Sequence, residues 1–183
     1  MRKVRVFESI SVDGYFADAG GGMEWAYATP PDPAFDAWVA GNAGSGGELL
    51  FGRVTYEMMA AFWPTPLAAR QMPEVAAGMN AAVKWVATRT VTPSWTNARR
   101  LEGDLVPAVR NLKASSGPDV TVLGSGRVAA ALGAAGLVDE YQLVVVPVAL
   151  GAGRTLFTQR ASLRLIDQRA FANGKVVVTY AAA

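Results

Sequence analysis

The stretch Val120-Thr-Val-Leu-Gly-Ser-Gly-Arg127 is the part of the sequence that most clearly indicates the fold. Its aliphatic and β-branched residues predict a buried strand over Val120–Leu123. Gly124-Ser125-Gly126 then leads directly into a predicted helix over Arg127–Ala135. Small residues at such a turn let a ligand approach the backbone, and the free N–H groups at a helix start attract an anion. The pattern favours an anion-binding turn; because position 129 is Ala and not Gly, a plain strand-to-helix turn is the alternative.

The same architecture occurs at a second place in the chain, and a third strand ends in an arginine between two threonines. Gly52-Arg53-Val54-Thr55 lies between a predicted strand, Glu48–Phe51, and a predicted helix, Val54–Phe62. Thr55, in the first turn of that helix, either contacts a phosphate or only caps the helix. Thr88-Arg89-Thr90 ends a third predicted strand, Val83–Ala87. An arginine beside hydroxyls suits a phosphomonoester such as the 2′-phosphate of NADP, with a solvated loop arginine as the alternative. Because ligands of α/β proteins bind at the carboxyl ends of the strands, these turns together predict a phosphate clamp there.

The rest of the chain continues the alternation of strands and helices. Asp13-Gly14 and the glycines at 20–22 predict a loop after the first strand, and Asp104 is placed to cap the third helix. The order predicts an α/β fold with a mostly parallel central sheet, helices on both faces and a C-terminal antiparallel hairpin, in a single domain over residues 1–183. The further predicted strands are Val4–Ile10, Glu140–Val148, Leu163–Phe171 and Lys175–Ala181, and the last two flank the turn Asn173-Gly174. The further predicted helices are Ala34–Asn42 and Asp104–Lys113. Another helix, without defined ends, is predicted between Val54–Phe62 and the strand that begins at Val83.

The composition excludes several kinds of chemistry. The 183 residues include no cysteine and no histidine, so a Ser-His-Asp triad, a thiolate nucleophile and a His- or Cys-ligated metal are impossible. The formal net charge is only +2 and no run of basic residues occurs, which argues against nucleic acid as a partner. No stretch approaches the length of a membrane span, and the first residues do not resemble a signal peptide, so we expect a cytoplasmic protein without a metal.

Two carboxylates are candidates for acid–base work in a chain without histidine. Asp13 lies in Val12-Asp13-Gly14, where it orients or protonates a substrate, or only forms a turn. Asp36 lies on the first predicted helix between Phe35 and Trp38, where it reaches a substrate or only occupies the solvated face. An ordered water is the third possible proton source.

Six sequence blocks resemble the dihydrofolate-reductase-like superfamily, and most of all the reductase domain of the bifunctional riboflavin-biosynthesis deaminase-reductase and its stand-alone relatives. They occur in family order over nearly the whole chain. The blocks are Ser9–Ala17, Leu50–Glu57, Val122–Arg127, Gly136–Tyr141, Pro147–Gly153 and Thr155–Phe157.

The resemblance implies that NADPH is the cofactor and assigns residues to it. Gly52, Arg53 and Thr55 resemble the first phosphate-binding helix start, and Thr88 and Arg89 resemble the site of the 2′-phosphate. Gly124, Ser125, Gly126 and Arg127 resemble the turn beneath the pyrophosphate and the nicotinamide ribose, and Phe16 and Ala17 the loop that holds the carboxamide. Asp13 resembles the family's Val-Asp-Gly element near the substrate, and Asp36 matches the pterin-binding acid by its spacing from Gly52.

The implied function is hydride transfer from NADPH to a small heterocyclic or imine-like substrate, similar to 5-amino-6-(5-phosphoribosylamino)uracil reductase. Deaminase activity is excluded because its zinc site needs His and Cys. The alternatives are a dihydrofolate-reductase-like enzyme acting on a pterin, a non-catalytic NADP-binding module and a flavin-binding reductase. The apolar late strand and hairpin, together with the way that related domains pair, predict a homodimer.

Overall fold

An eight-stranded sheet lies at the centre of the computed structural model, which describes residues 1–183. Six α-helices and a short 3₁₀ helix accompany it. The elements in chain order are β1 (Val4–Ser11), β2 (Tyr15–Asp18), the 3₁₀ helix (Glu24–Tyr27), α1 (Pro33–Ala43), β3 (Glu48–Gly52), α2 (Arg53–Phe62), α3 (Pro66–Gln71), α4 (Pro73–Ala81), β4 (Lys84–Ala87), β5 (Ala98–Arg100), α5 (Leu105–Ala114), β6 (Val120–Leu123), α6 (Gly126–Ala134), β7 (Glu140–Val146), β8 (Gly153–Thr155), β9 (Leu163–Ala170) and β10 (Val176–Ala182).

The strand order in the large sheet is β5-β4-β3-β6-β1-β7-β10-β9. The first six strands of this order run parallel, whereas β10 is antiparallel to both β7 and β9. The turn that joins β9 and β10 contains Asn173 and Gly174, and Gly174 has φ +83°, a conformation that glycine adopts at little cost. The predicted α/β fold with its C-terminal hairpin is confirmed.

Helices cover both faces of the sheet, so the fold has three layers. Successive residues of β3 alternate between two cores: Leu50 packs in the core that contains residues of α5 and α6, while Phe51 packs in the core that contains residues of α2 and α4. A third core joins α1 to β7 and β10 through Phe35 and Trp38. The period of two along the strand places one apolar side chain on each face, as a strand buried on both sides requires.

Three short strands were not predicted from the sequence. The glycine-rich segment that was expected to be only a loop contains β2, which pairs with β8 in a separate two-stranded sheet. The three-residue β5 extends the large sheet beyond β4. Such short strands carry too few residues for an alternating pattern, and their pairing depends on residues far away in the chain.

Lys84 is a fully buried residue of β4, and its ammonium group has backbone partners only. Nζ donates to the carbonyl oxygens of Asn80, Ala82 and Thr96 at 3.1, 2.6 and 3.0 Å, and it lies 4.3 Å from the centroid of the Trp95 ring. Burial lowers the pKa of Lys84 to about 8. The lysine joins the end of α4 to the chain before β5, which is a structural role. No helix of the chain is long and apolar enough to cross a membrane.

Candidate functional site

The two glycine turns lie side by side at the carboxyl edge of the sheet. They are adjacent because β3 and β6 are neighbours, with Leu50 paired to Val122. The amide of Gly52 donates to Ser125 Oγ at 2.8 Å, which joins the turn after β3 to the turn after β6. Ser125 has φ +59° and ψ +50°, a left-handed conformation that is uncommon for a residue with a side chain. The chain therefore holds Ser125 in an unfavourable conformation that directs its hydroxyl at Gly52.

Close packing explains the small residues in these turns. A Cβ atom at Gly124, where φ is +57°, would lie 3.3 Å from Thr55 Cγ2, and a Cβ at Gly126 would overlap the ring of Phe16. Thr55 makes no capping hydrogen bond, so the capping alternative is wrong and the side chain packs against the other turn. Four of the residues assigned by resemblance thus form two closely packed pairs, Gly124 with Thr55 and Gly126 with Phe16.

The starts of α2 and α6 have no side-chain cap. Gly52 occupies the N-cap position of α2 and has no side chain to offer. Ser125 occupies the N-cap position of α6, but its hydroxyl accepts from Gly52 and makes no capping bond. Uncapped N–H groups and the positive end of each helix dipole make such starts suitable for an anion, and here two of them are adjacent.

A cavity of about 390 Å³ lies beside the two helix starts. It brings together four residues that the sequence assigned to phosphate binding, from the ends of three strands: Arg53 after β3, Thr88 and Arg89 after β4, and Arg127 after β6. The lining residues are Arg53, Ala87, Thr88, Arg89, Thr90, Leu101, Gly103, Asp104, Leu105, Arg127 and Val128.

Three arginines give this cavity its positive charge. Arg53 Nη1 pairs with Glu57 Oε2 at 2.7 Å, and Arg89 Nη2 pairs with Asp104 Oδ1 at 3.2 Å. Arg127 forms no ion pair within the chain. Asp104 does occupy the N-cap position of α5, but the predicted cap is wrong, because its carboxylate bonds Arg89 and not the first turn of the helix.

A second, open groove of about 460 Å³ lies between α6 and the chain after β7. Arg127 lines both the cavity and this groove, and Phe16 lines the groove only. Arg154 and Thr158 form the other side of this groove. Ala17 is buried and pairs with Arg154 across the small sheet. Phe16 and Ala17, which the resemblance assigns to the carboxamide, lie in β2, and the Phe16 ring packs against the start of α6 at Gly126.

The carboxylate of Asp13 is occupied by hydrogen bonds from its own chain. Ser11 Oγ donates to Oδ1 at 2.5 Å, and the amides of Leu150 and Gly151 donate to Oδ2 at 3.1 and 2.7 Å. The hydroxyl of Ser11 and then the amide of Gly151 lower the pKa of Asp13 below its usual value. Asp13 is therefore ionised at neutral pH and lines neither cavity, so the geometry favours its turn role over proton donation.

Asp36 lies in the first turn of α1 with its side chain exposed, as expected for the solvated face. Its charge acts on Lys175, a buried residue whose pKa is lowered by burial and partly restored by Asp36. Asp36 lines neither the cavity nor the groove. The two candidate acids act on different parts of the chain, Asp13 on Leu150 and Gly151 and Asp36 on Lys175.

Glu8 is a buried acidic residue that was not predicted from the sequence as a functional candidate. It lies on the central strand β1, one residue after Phe7, whose carbonyl accepts from the amide of Gly124 at 3.0 Å. The Glu8 side chain is 2% exposed, and Oε1 accepts only from the amide of Ser9 while Oε2 has no partner. Burial raises the pKa of Glu8 to about 8. The sequence does contain a signal for its burial, because Glu8 continues the alternation in which Val4 and Val6 face the core.

The fold and the turns define a class of protein. A mostly parallel sheet with a C-terminal antiparallel hairpin, two uncapped helix starts and an arginine-lined cavity at its carboxyl edge is the arrangement of a dihydrofolate-reductase-like α/β protein. The chain belongs to the RibD C-terminal domain family, a family of riboflavin-pathway-type reductases, whose model matches residues 2–179. The family membership that the sequence blocks indicated is confirmed.

Individual relatives agree with this assignment. An uncharacterized protein of Bacillus subtilis, YyaP, is 25% identical over 182 residues, which cover 98% of this chain and 94% of the relative. A putative riboflavin biosynthesis protein from Shewanella has a similar structure, with a TM-score of 0.70, 22% identity and 99% coverage of both chains. A pyrimidine reductase-like protein from Corynebacterium diphtheriae has a TM-score of 0.61 at 12% identity, covering 100% of this chain and 92% of the other. At these identities the two structures support the fold alone.

We predict that the stability of the protein falls between pH 5 and pH 8 because of Glu8. Its carboxyl ionises near its ordinary pKa of 4.5 when unfolded but near 8 when folded, so in this range the unfolded state releases a proton that the folded state keeps. The free energy of unfolding from urea titrations should drop by a few kcal/mol, on the scale of about 1.4 kcal/mol per pKa unit.

The profile is readable because few other groups titrate in that window. The chain has no histidine, the shifted pKa values of Asp13, Asp32 and Glu140 act at acidic pH, and that of Lys84 acts above about 8. Glu8→Gln should remove the slope, while Glu24→Gln, at an exposed position, should leave it unchanged. Parallel profiles for wild type and Glu8→Gln would show that Glu8 ionises normally.

Proposed function

We propose that the protein is an NADPH-dependent reductase that transfers hydride to a small heterocyclic or imine-like substrate, similar to 5-amino-6-(5-phosphoribosylamino)uracil reductase. The observation that carries this proposal is the cavity in which Arg53, Thr88, Arg89 and Arg127 meet beside two uncapped helix starts. Membership in a riboflavin-pathway-type reductase family supports it. A cytoplasmic location remains a prediction.

The residues present fit a dinucleotide with an additional phosphate. A Cβ at Gly52 would lie 3.1 Å from Val128 Cγ2 and 3.5 Å from Ser125 Oγ, so glycine at this position lets the two turns pack together and brings both helix starts to the same edge of the sheet. The helix starts would hold the pyrophosphate, and Arg89 with Thr88 would hold the 2′-phosphate. When bound, NADPH supplies the hydride; the chain binds it, orients the two reacting rings and excludes water.

Reduction of a C=N bond also needs a proton at nitrogen, and we assign its supply to Glu8. Among the acids considered, Asp13 is ionised and fully engaged, and Asp36 is exposed beside Lys175. Glu8 keeps its proton at neutral pH, and its Oε2 has no hydrogen-bond partner on the strand that borders the second glycine turn. Like the two aspartates it lines neither the cavity nor the groove, and it is buried, so this assignment requires its side chain to turn toward a bound substrate. Its carboxyl gives the proton to the substrate nitrogen, becomes a carboxylate and regains a proton from water.

The first test concerns the cofactor. NADPH should bind more tightly than NADH, and Arg89→Ala should remove most of the difference, because a charge-assisted contact to the 2′-phosphate is lost. We expect a loss of roughly tenfold in NADPH affinity, the lower end for hydrogen bonds to charged groups, since Arg89 is largely exposed. Calorimetric titration measures both affinities. Arg110→Ala, at an exposed position of α5 outside the cavity, is the matched control. Equal affinities in wild type contradict the assignment.

The second test concerns the proton. Turnover is followed by loss of the reduced nicotinamide absorbance with pterin, pyrimidine and quinone-like acceptors. Glu8→Gln should lower turnover on a C=N acceptor by about 10²-fold or more while leaving NADPH affinity unchanged. The wild-type rate should fall as pH rises through about 8, where Glu8 loses its proton, and the variant should lack this limb.

Asp13→Asn and Asp36→Asn are the comparison variants for the proton assignment. If one of them abolishes turnover at an unchanged melting temperature and Glu8→Gln does not, the donor is that aspartate. A fall in melting temperature for Asp13→Asn would support its structural role in holding the loop at Leu150 and Gly151. Binding of NADPH without turnover on any acceptor would favour a non-catalytic NADP-binding module. Turnover on pterins alone would favour a dihydrofolate-reductase-like enzyme.

We also propose that the protein is a homodimer that pairs through the C-terminal part of the sheet. The edge strand β9 is exposed along almost its whole length, including Leu165 at 49% and Ile166 at 48%. An unpaired edge of this length with exposed apolar residues is suited to association with another copy. Light scattering at micromolar concentration should give twice the 19.2 kDa chain mass, and Ile166→Lys should shift it toward the monomer. A monomer mass for wild type contradicts the proposal.

A further inference from the structure

Asp104 is a carboxylate inside the cavity that the proposed function assigns to a phosphate. It precedes α5, where an aspartate usually accepts hydrogen bonds from the first helical turn. The side chain makes no such bond; Oδ1 instead lies 3.2 Å from Arg89 Nη2. Asp104 and Arg89 both line the cavity. The carboxylate of Asp104 therefore contacts Arg89 in the cavity and does not cap its own helix.

Asp104 is also the only carboxylate among the residues that line this cavity. Glu57, which pairs with Arg53, lies outside it. A phosphate that approaches Arg89 therefore meets a negative charge that already uses the same guanidinium. The Arg89–Asp104 pair is weak and easily broken, because its side chains are 89% and 78% exposed. A strongly charged ligand displaces the carboxylate, but at reduced affinity.

A carboxylate at such a position has a second effect. It accepts a hydrogen bond from a ribose hydroxyl, and acidic residues of dinucleotide-binding proteins recognise the unphosphorylated 2′-hydroxyl in this way. Arg89 and Asp104 thus favour opposite forms of the same ligand: the guanidinium favours the 2′-phosphate, and the carboxylate favours the free hydroxyl and disfavours the phosphate.

We propose that Asp104 is a specificity-determining residue that limits the preference of this site for 2′-phosphorylated adenosine nucleotides, through its contact with Arg89 and its charge in the cavity. The proposal rests on the proposed function. It means that the site accepts both nucleotide forms with a modest preference for the phosphorylated one, and that the preference is set by competition for a single guanidinium.

The experiment uses two nucleotide fragments that lack the nicotinamide, adenosine 2′,5′-bisphosphate and adenosine 5′-monophosphate. Calorimetry on the full chain measures both dissociation constants for wild type, Asp104→Asn and Glu102→Gln. Asparagine keeps the size of Asp104 and is equally suited to the start of a helix, so α5 should be preserved. Glu102→Gln removes a neighbouring exposed charge that does not line the cavity, which controls for net charge.

For Asp104→Asn we expect about five-fold tighter binding of the bisphosphate, the scale for removing one negative charge a few ångströms from a solvated phosphate. Binding of the monophosphate should weaken or stay the same. Glu102→Gln should change neither, and the gain should shrink at high salt because exposed charges are screened.

The outcomes separate this proposal from the proposed function. If wild type binds neither fragment, the nucleotide site itself is refuted. If wild type binds both and Asp104→Asn leaves their ratio unchanged, the proposed function stands and the role of Asp104 is refuted. If Asp104→Asn weakens binding of the bisphosphate, Asp104 positions Arg89 for the phosphate, and the proposed direction of its effect on affinity is wrong.

Discussion

The hydrogen bond from the Gly52 amide to Ser125 Oγ is the contact on which the site depends. It joins two turns that follow neighbouring parallel strands, and it occupies the one side chain able to cap α6. Because the hydroxyl is used between the turns it does not cap α6, and Gly52 has no side chain that could cap α2, so both helix starts lack a side-chain cap. Ser125 holds a left-handed conformation to make this contact, and such local cost is typical of sites built for binding.

The acids of the site region differ because their surroundings differ. Asp13 is surrounded by donors, which stabilise its negative charge and hold the chain at Leu150 and Gly151. Glu8 is buried on the central strand with almost no donors, which stabilises its neutral form. In a chain without histidine, Glu8 is thus a group whose pKa, about 8, lies close to neutral pH, a range in which imidazole is otherwise the usual titrating side chain.

The cavity charges show a similar balance. Each of Arg53 and Arg89 has a carboxylate partner in the free protein, and Arg127 has none. A phosphate of the proposed cofactor would therefore compete with the chain's own acids at two of three positions, and its affinity would depend on how easily those two exposed ion pairs break. Surface ion pairs of this kind contribute little to stability, which leaves them available for recognition.

The sequence by itself determined the α/β fold, the hairpin and the order of the two glycine turns, because these follow from local periodicity and from residues such as Gly124 and Gly174 with special backbone requirements. Only the tertiary structure decided that Asp104 bonds Arg89, that Thr55 packs and does not cap, and that Glu8 is buried without a partner. Those properties come from residues far apart in the chain, and the environment that sets a side chain's charge and contacts exists only once the strands are paired.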